Sequence, residues 1–196
     1  SEDGRVYICG EDGYLGNGTT LERTRVVEIT NNFNLEQDNI IIDVCSDYDD
    51  FIAVDSLGNV YGWGYHLGIT IKCISEDNVL AGKRIVKVDG IYRNGYFTFI
   101  DEDGNCYYNT SSMSFDTTVK ADANAKFVDV KGKWVLDDNG MLWHIEPYNN
   151  YIKSVLEQKD TSKNPLYKKY KLNPDYKIVA IFEGEGYYCI AKDSEG

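Results

Sequence analysis

Positive charge is what this sequence lacks most. Twenty Lys and Arg stand against 32 Asp and Glu, for a formal net charge of −12 over 196 residues. Binding a nucleic-acid backbone takes Lys and Arg against phosphate, so a nucleic-acid partner is not expected. Acidic substrates and anionic membrane surfaces are disfavoured for the same reason. Long apolar runs are missing too, and no stretch reaches the length that spans a bilayer. No signal-peptide pattern opens the chain, and its first residue is Ser rather than Met, as expected of a processed or excised piece. Cysteine is sparse and odd in number: Cys9, Cys45, Cys73, Cys106 and Cys189, with no Cys-x-x-Cys. Four of the five fall inside predicted strands among apolar neighbours, where cysteine behaves as a small hydrophobe. That usage leans to a reducing, intracellular compartment. The two histidines, His66 and His144, stand alone in sequence, and no His or Cys pair has zinc-ligand spacing. No local signature supports a catalytic Ser/His/Asp or Cys/His set, so no catalytic residue, cofactor or metal is assigned.

Proline is scarce at 3 residues, whereas Gly numbers 18 and Tyr 16. Tyr, Gly and β-branched residues together suit many short strands joined by Gly turns. A hydrophobic content of 42% is too high for a disordered chain. The fullest stretch is residues 40–64, IIIDVCSDYDDFIAVDSLGNVYGWG, which reads as three antiparallel strands with tight polar links.

The same phrase recurs. A Gly that follows an acidic strand end and precedes an aromatic strand appears at Gly4, Gly58, Gly104, Gly140 and Gly196, with steps of 54, 46, 36 and 56 residues. Before these turns lies a strand of pattern apolar-apolar-any-apolar: Ile41-Ile42-Asp43-Val44, Ile85-Val86-Lys87-Val88, Phe127-Val128-Asp129-Val130 and Ile178-Val179-Ala180-Ile181. A strand with one wet face would alternate more cleanly. The pattern is therefore expected to mark burial on both faces, as in a blade between two neighbouring blades. Steps of this size are those of a β-propeller blade.

In chain order, residues 5–9 and 24–29 predict a third-type and an outer strand around a Gly-rich loop at residues 10–18. Two fuller units follow, at 40–74 and 84–119. A unit at 126–145 is expected to be degenerate, because its first turn shrinks to Lys131-Gly132. Residues 146–177 break the pattern, with seven lysines against four acidic residues. There Tyr151, Ile152, Val155 and Leu156 are spaced for one face of a short helix. A last pair of strands is expected at 178–182 and 187–192.

Asp55-Ser56-Leu57-Gly58-Asn59-Val60-Tyr61-Gly62-Trp63-Gly64, with Gly13-Tyr14-Leu15-Gly16-Asn17-Gly18, resembles the repeat of the regulator of chromosome condensation family. The likeness covers most of the chain except residues 146–177. It implies an all-β fold, a β-propeller of the chromosome-condensation-regulator type. The family's propellers are usually seven-bladed. This chain holds about four blade equivalents, as an arc of a larger propeller or a closed small ring. Remaining blades or another chain would cover open edges. Residues 1–196 are expected to form one repeat domain with an insert at 146–177. Members of the family act by recognition. The founder is a guanine-nucleotide exchange factor for a small nuclear GTPase and contacts nucleosomes; relatives include ubiquitin-ligase scaffolds, enzyme inhibitors and bacterial surface modules. The resemblance therefore implies a non-enzymatic module that binds another protein. The alternatives are a GTPase exchange factor and a surface or adhesion module. Exchange residues are not carried over, because the loops that hold them are not matched here.

Two further patterns are structural in this reading. Asp101-Glu102-Asp103-Gly104-Asn105 looks like the start of a calcium loop, but its Gly is fourth and a strand follows, so a hairpin turn is expected. Residues 13–18 lack the Lys-Ser/Thr of a phosphate loop. Trp63, Trp134 and Trp143 are expected to pack between blades. The candidate contact residues are Tyr148, Tyr151, Tyr167, Lys168, Lys169 and Tyr170, where amphipathic rings meet positive charge in the insert.

Overall fold

An Asp followed three residues later by a Gly builds the same turn three times. In each, one carboxylate oxygen accepts two backbone N–H groups: Leu57 and Asn59 at Asp55, Asp103 and Asn105 at Asp101, Asn139 and Met141 at Asp137. The glycine sits at positive φ, 92° at Gly58, 82° at Gly104 and 79° at Gly140, which an L side chain resists. A Cβ there would also strike the chain entering the next sheet, at Arg84, Lys126 and Lys177 in turn. Each turn is thus both a hairpin and a joint between sheets.

The computed structural model describes residues 3–10, 13–21, 23–47, 49–91, 95–112, 114–154, 177–182 and 189–194; for residues 23, 148, 151, 153 and 154 the backbone alone is described. Sixteen strands form five antiparallel sheets among them. Sheet I pairs β1 (Tyr7–Gly10) with β2 (Arg23–Glu28). Sheet II runs β3 (Ile41–Asp47), β4 (Asp50–Asp55), β5 (Val60–Gly64), β6 (Gly68–Cys73). Sheet III runs β7 (Ile85–Ile91), β8 (Tyr96–Asp101), β9 (Cys106–Ser111), β10 (Ser114–Lys120). Sheet IV runs β11 (Phe127–Lys131), β12 (Trp134–Asp137), β13 (Leu142–Glu146), β14 (Tyr151–Ser154). Sheet V pairs β15 (Ile178–Phe182) with β16 (Ile190–Asp193). Three full blades flanked by two half-blades make four blade equivalents of a β-propeller.

A separate apolar cluster fills each gap between successive sheets. Ile8, Leu15, Ile29, Phe33 and Trp63 lie between I and II; Ile52, Val54, Phe97, Phe99 and Tyr107 between II and III. Ile100, Tyr108, Phe127, Val135 and Ile145 lie between III and IV; Leu136, Leu142, Ile178 and Ile181 between IV and V. Each such side chain contributes about 1.5–3 kcal/mol on burial. The joints add backbone bonds: the Phe127 N–H donates to the Gly104 carbonyl (2.8 Å), with equivalents at Ile85 and Ile178.

Three expectations need correction. The apolar-apolar-any-apolar strands are not buried on both faces. In all four the register slips at the second position, at Ile42, Val86, Val128 and Val179. This β-bulge resets the alternation and brings positions one and four onto one face. Ile85 with Val88, Phe127 with Val130 and Ile178 with Ile181 are buried, while Ile42, Val128 and Val179 are exposed. Two-faced burial belongs instead to the second strands, and β8 is buried at every residue. Sheet IV is not degenerate: Gly132, at φ 55°, closes its short turn and all four strands form. Finally, the helix predicted around residues 151–156 is replaced, as far as Ser154, by β14. A 3-10 turn at Pro147–Asn149 and a left-handed Asn150 (φ 48°) send the chain back, and Ile152 pairs with Ile145 in the core. Val155 and Leu156 lie outside the described residues.

Candidate functional site

The Asp-x-x-Gly turns and the entries to each sheet crowd one end of the blades. At this turn end the carboxylates are consumed structurally. The second oxygen of Asp55 accepts Asn39 Nδ2 (2.7 Å), Asn59 Nδ2 (2.8 Å) and the Tyr61 hydroxyl (3.0 Å). That of Asp101 accepts Asn105 Nδ2 (2.8 Å) and the Tyr107 hydroxyl (2.9 Å), and that of Asp137 accepts Trp143 Nε1 (2.9 Å). Burial beside these carboxylates pushes the Tyr61 and Tyr107 hydroxyls well above their usual range. The calcium-like stretch at 101–105 is this hairpin, with its carboxylate saturated by amides and a phenol.

The opposite end carries the remaining hairpins, and its most built feature lies on sheet II. Asp50 is buried to 1% exposure. Its Oδ1 accepts the backbone N–H groups of His66 (2.9 Å) and Leu67 (3.2 Å), and its Oδ2 lies 2.7 Å from His66 Nδ1. A carboxylate accepts from Nδ1–H, which leaves Nε2 of this half-exposed ring turned away from Asp50. Gly64, at φ 141°, makes the turn possible, because a Cβ would strike Asp49 and Asp50. Tyr65 is 56% exposed. It meets His66 edge-on at 4.9 Å and Tyr14 edge-on at 5.1 Å.

Tyr14 comes from the Gly-rich loop between β1 and β2. That loop is fastened to sheet II through the Asn17–Thr70 bridge and the Gly18 N–H to Ile69 carbonyl bond (3.0 Å), and to the 3-10 turn at Thr30–Phe33 through Asn32 Nδ2, which donates to the Gly16 carbonyl (2.9 Å). Gly16 packs so closely on Trp63 that any side chain there would displace the indole. The loop is thus a strap across the first blade joint. Its motif positions Tyr14, which no motif reading of the sequence singled out.

Sheet IV differs at the same end. Lys133 occupies the place that Phe51 and Phe97 take in sheets II and III, counting back from the turn Asp, and is buried. Its Nζ lies 3.8 Å from Glu146 Oε2, and His144 Nε2 lies 3.5 Å from Glu146 Oε1. Burial, reinforced by the Lys133 charge, lowers the His144 imidazole to about 4, so it is neutral at pH 7. Neither histidine stands alone: His66 faces Asp50 across the hairpin, and His144 faces Glu146 two residues on in β13.

Of the six sequence-predicted contact residues, Tyr148 and Tyr151 are among the described residues. Tyr148 and Tyr151 flank the β13–β14 turn at the hairpin end, where Asn150 Oδ1 accepts the Tyr108 hydroxyl (3.2 Å). Tyr167, Lys168, Lys169 and Tyr170 lie outside the described residues, in a segment whose described neighbours, Ser154 and Lys177, are at the turn end. Tyr65, His66 and Asp50 were missed because no short-range motif holds them. The signal was the hairpin register, which pairs Asp50 with Gly64 and so brings residue 66 over residue 50.

No protein-family model matches the chain. Among solved structures it is similar to Prp20 of Saccharomyces cerevisiae, the yeast RCC1, at 15% identity and a TM-score of 0.69, over 100% of this chain and 52% of that one. It is similar to human WBSCR16 at 15% identity and a TM-score of 0.67, over 98% of this chain and 56% of that one. YCF48, solved with a D1 peptide, matches at 10% identity and a TM-score of 0.53, over 99% of this chain and 60% of that one. The chain thus spans about half the length of the first two, and the fold is that of an RCC1-like β-propeller.

Proposed function

We propose that the chain is a recognition module that binds another protein and performs no chemistry of its own. The observation that carries this reading is the patch of Tyr14, Tyr65 and His66. It is an aromatic and polar surface held on a turn that buried Asp50 locks in place. Large rings on rigid supports lose little entropy on binding, which is why they dominate protein contacts. Neighbours in the fold support the reading: Prp20 is solved with Kap60 and described by its binding to Gsp1p and histones, and YCF48 is solved with a peptide. The net charge of −12 favours a partner segment rich in Lys or Arg. Tyr148, Tyr151, Tyr167, Lys168, Lys169 and Tyr170 form a second contact set, with positive charge of its own. We read the chain as one repeat domain of the regulator of chromosome condensation family, working in a reducing, intracellular compartment.

Quantitative affinity capture tests this. Tyr65→Ala is expected to strip the specific partners, and Lys168→Ala with Lys169→Ala and Tyr170→Ala to weaken them, both at unchanged thermal unfolding. Capture equal to the parent's in both variants overturns the assignment. A GTPase panel separates the exchange-factor alternative: this reading expects no acceleration of nucleotide release.

A further inference from the structure

Sheets I and V supply complementary parts of the blade pattern. In sheets II, III and IV the second strand meets the third in one register, counted outward from the turn. The residue before the Asp lies opposite the second residue after the Gly: Val54 with Val60, Ile100 with Cys106, Leu136 with Leu142. The next pairs are Ala53 with Tyr61, Phe99 with Tyr107, Val135 with Trp143, and then Ile52 with Gly62, Thr98 with Tyr108, Trp134 with His144. Sheet II continues to Phe51 with Trp63, whose rings stack at 5.4 Å and 13°, so side chains at this pair share one face.

Sheet V supplies a first and a second strand, with the same bulge and with the turn Asp at Asp193. Sheet I supplies a third and an outer strand behind Gly4, which has the turn glycine's φ of 75° and packs on Ile40 as the other turn glycines pack on the next sheet. Set in the common register, β16 against β1 places Lys192 opposite Val6, Ala191 opposite Tyr7 and Ile190 opposite Ile8. It also places Cys189 opposite Cys9, at the position of the Phe51–Trp63 stack. The side chains such a union would cover are exposed: Ile190 at 66%, Phe182 at 50% and Tyr7 at 45%. Among the described residues of one chain, sheets I and V stay separate.

We propose that two copies of this chain join head to tail, β16 of each pairing with β1 of the other, and close a twofold-symmetric ring of eight blades. Each joint turns two open strand edges into ladder bonds and removes the hazard such edges present. This surface is distinct from the Tyr65–His66 patch, and either could fail without the other.

Light scattering at micromolar concentration is expected to give the mass of two chains. Ile190→Lys, at an exposed position, is expected to weaken association by at least about tenfold with unchanged circular dichroism. Directly opposed cysteines on antiparallel strands have Cα atoms about 4.5–5.5 Å apart, within disulfide range. Burial raises the Cys189 thiol to about 11, so oxidation is driven with copper–phenanthroline. Dioxygen then takes two electrons and two protons from the thiol pair as one S–S bond forms. Cys9→Ser mixed with Cys189→Ser is expected to give a covalent dimer, because one copy retains Cys189 and the other Cys9, while neither variant alone forms that link. A one-chain mass for the parent, a Cys9–Cys189 link confined within single chains, or open-ended larger assemblies each overturns the proposal.

Discussion

Sheets II and IV share a backbone and differ in what they bury. Both are built on the same bulge, the same carboxylate turn and the same glycine joint. Beyond the turn, sheet II stacks Phe51 on Trp63, whereas sheet IV sets Lys133 and Ile145 at those places, with Glu146 and His144 alongside. The repeat is therefore held by the turn, while the cargo between blades is free to vary from aromatic to ionic. A core made of one apolar cluster per gap permits this, because a change in one gap leaves the others intact.

The largest effect should come from the aromatic side of that contrast. Trp63→Ala removes the ring that Phe33, Phe51 and Gly16 enclose, and is expected to cost about 3–5 kcal/mol in urea unfolding. The ionic side should respond to pH instead. An unfolded imidazole takes up a proton near pH 6.5, whereas folded His144 refuses it until about pH 4. The unfolded state therefore binds more protons in that window, and stability falls as pH drops from about 6.5 to 4, by as much as about 3 kcal/mol. His144→Gln should flatten that part of the pH profile, and an equal slope in parent and variant would refute the assignment. If the turn is the shared frame, Asp55→Ala and Asp137→Ala should each cost about 2–3 kcal/mol and agree within about 1. Unequal costs would mean that the cargo, not the turn, sets blade stability. Smallest should be Lys133→Met combined with Glu146→Gln, expected to change stability by less than about 1.5 kcal/mol, since a buried ion pair replaced as a whole gains little over uncharged side chains of similar volume.

The frame was legible in the sequence because it rests on short spacings. Asp and Gly three apart, with an aromatic three further on, mark each hairpin in a seven-residue window. The bulge was not legible, because an extra residue in a strand produces the same apolar doublet as two-faced burial. Only the register, with Ile41 opposite Asp55 but Asp43 opposite Val54, separates the two. The β14 strand was misread as a helix because Ile152 had no visible partner until the turn at Pro147–Asn149 folded it onto Ile145. The Asp50–His66 pair depends on a hairpin register rather than a motif, so its residues looked unrelated at sixteen positions apart.

The central claim is that one turn closes the hairpin and locks the next blade. Amide hydrogen exchange in Asp101→Ala tests it most directly. Asp103 and Asn105 donate to the Asp101 carboxylate, while Phe127 donates across the joint to Gly104. The account expects all three amides to lose protection together, with Ile85, at the preceding joint, unchanged. Loss at Asp103 and Asn105 with parental protection at Phe127 would contradict it.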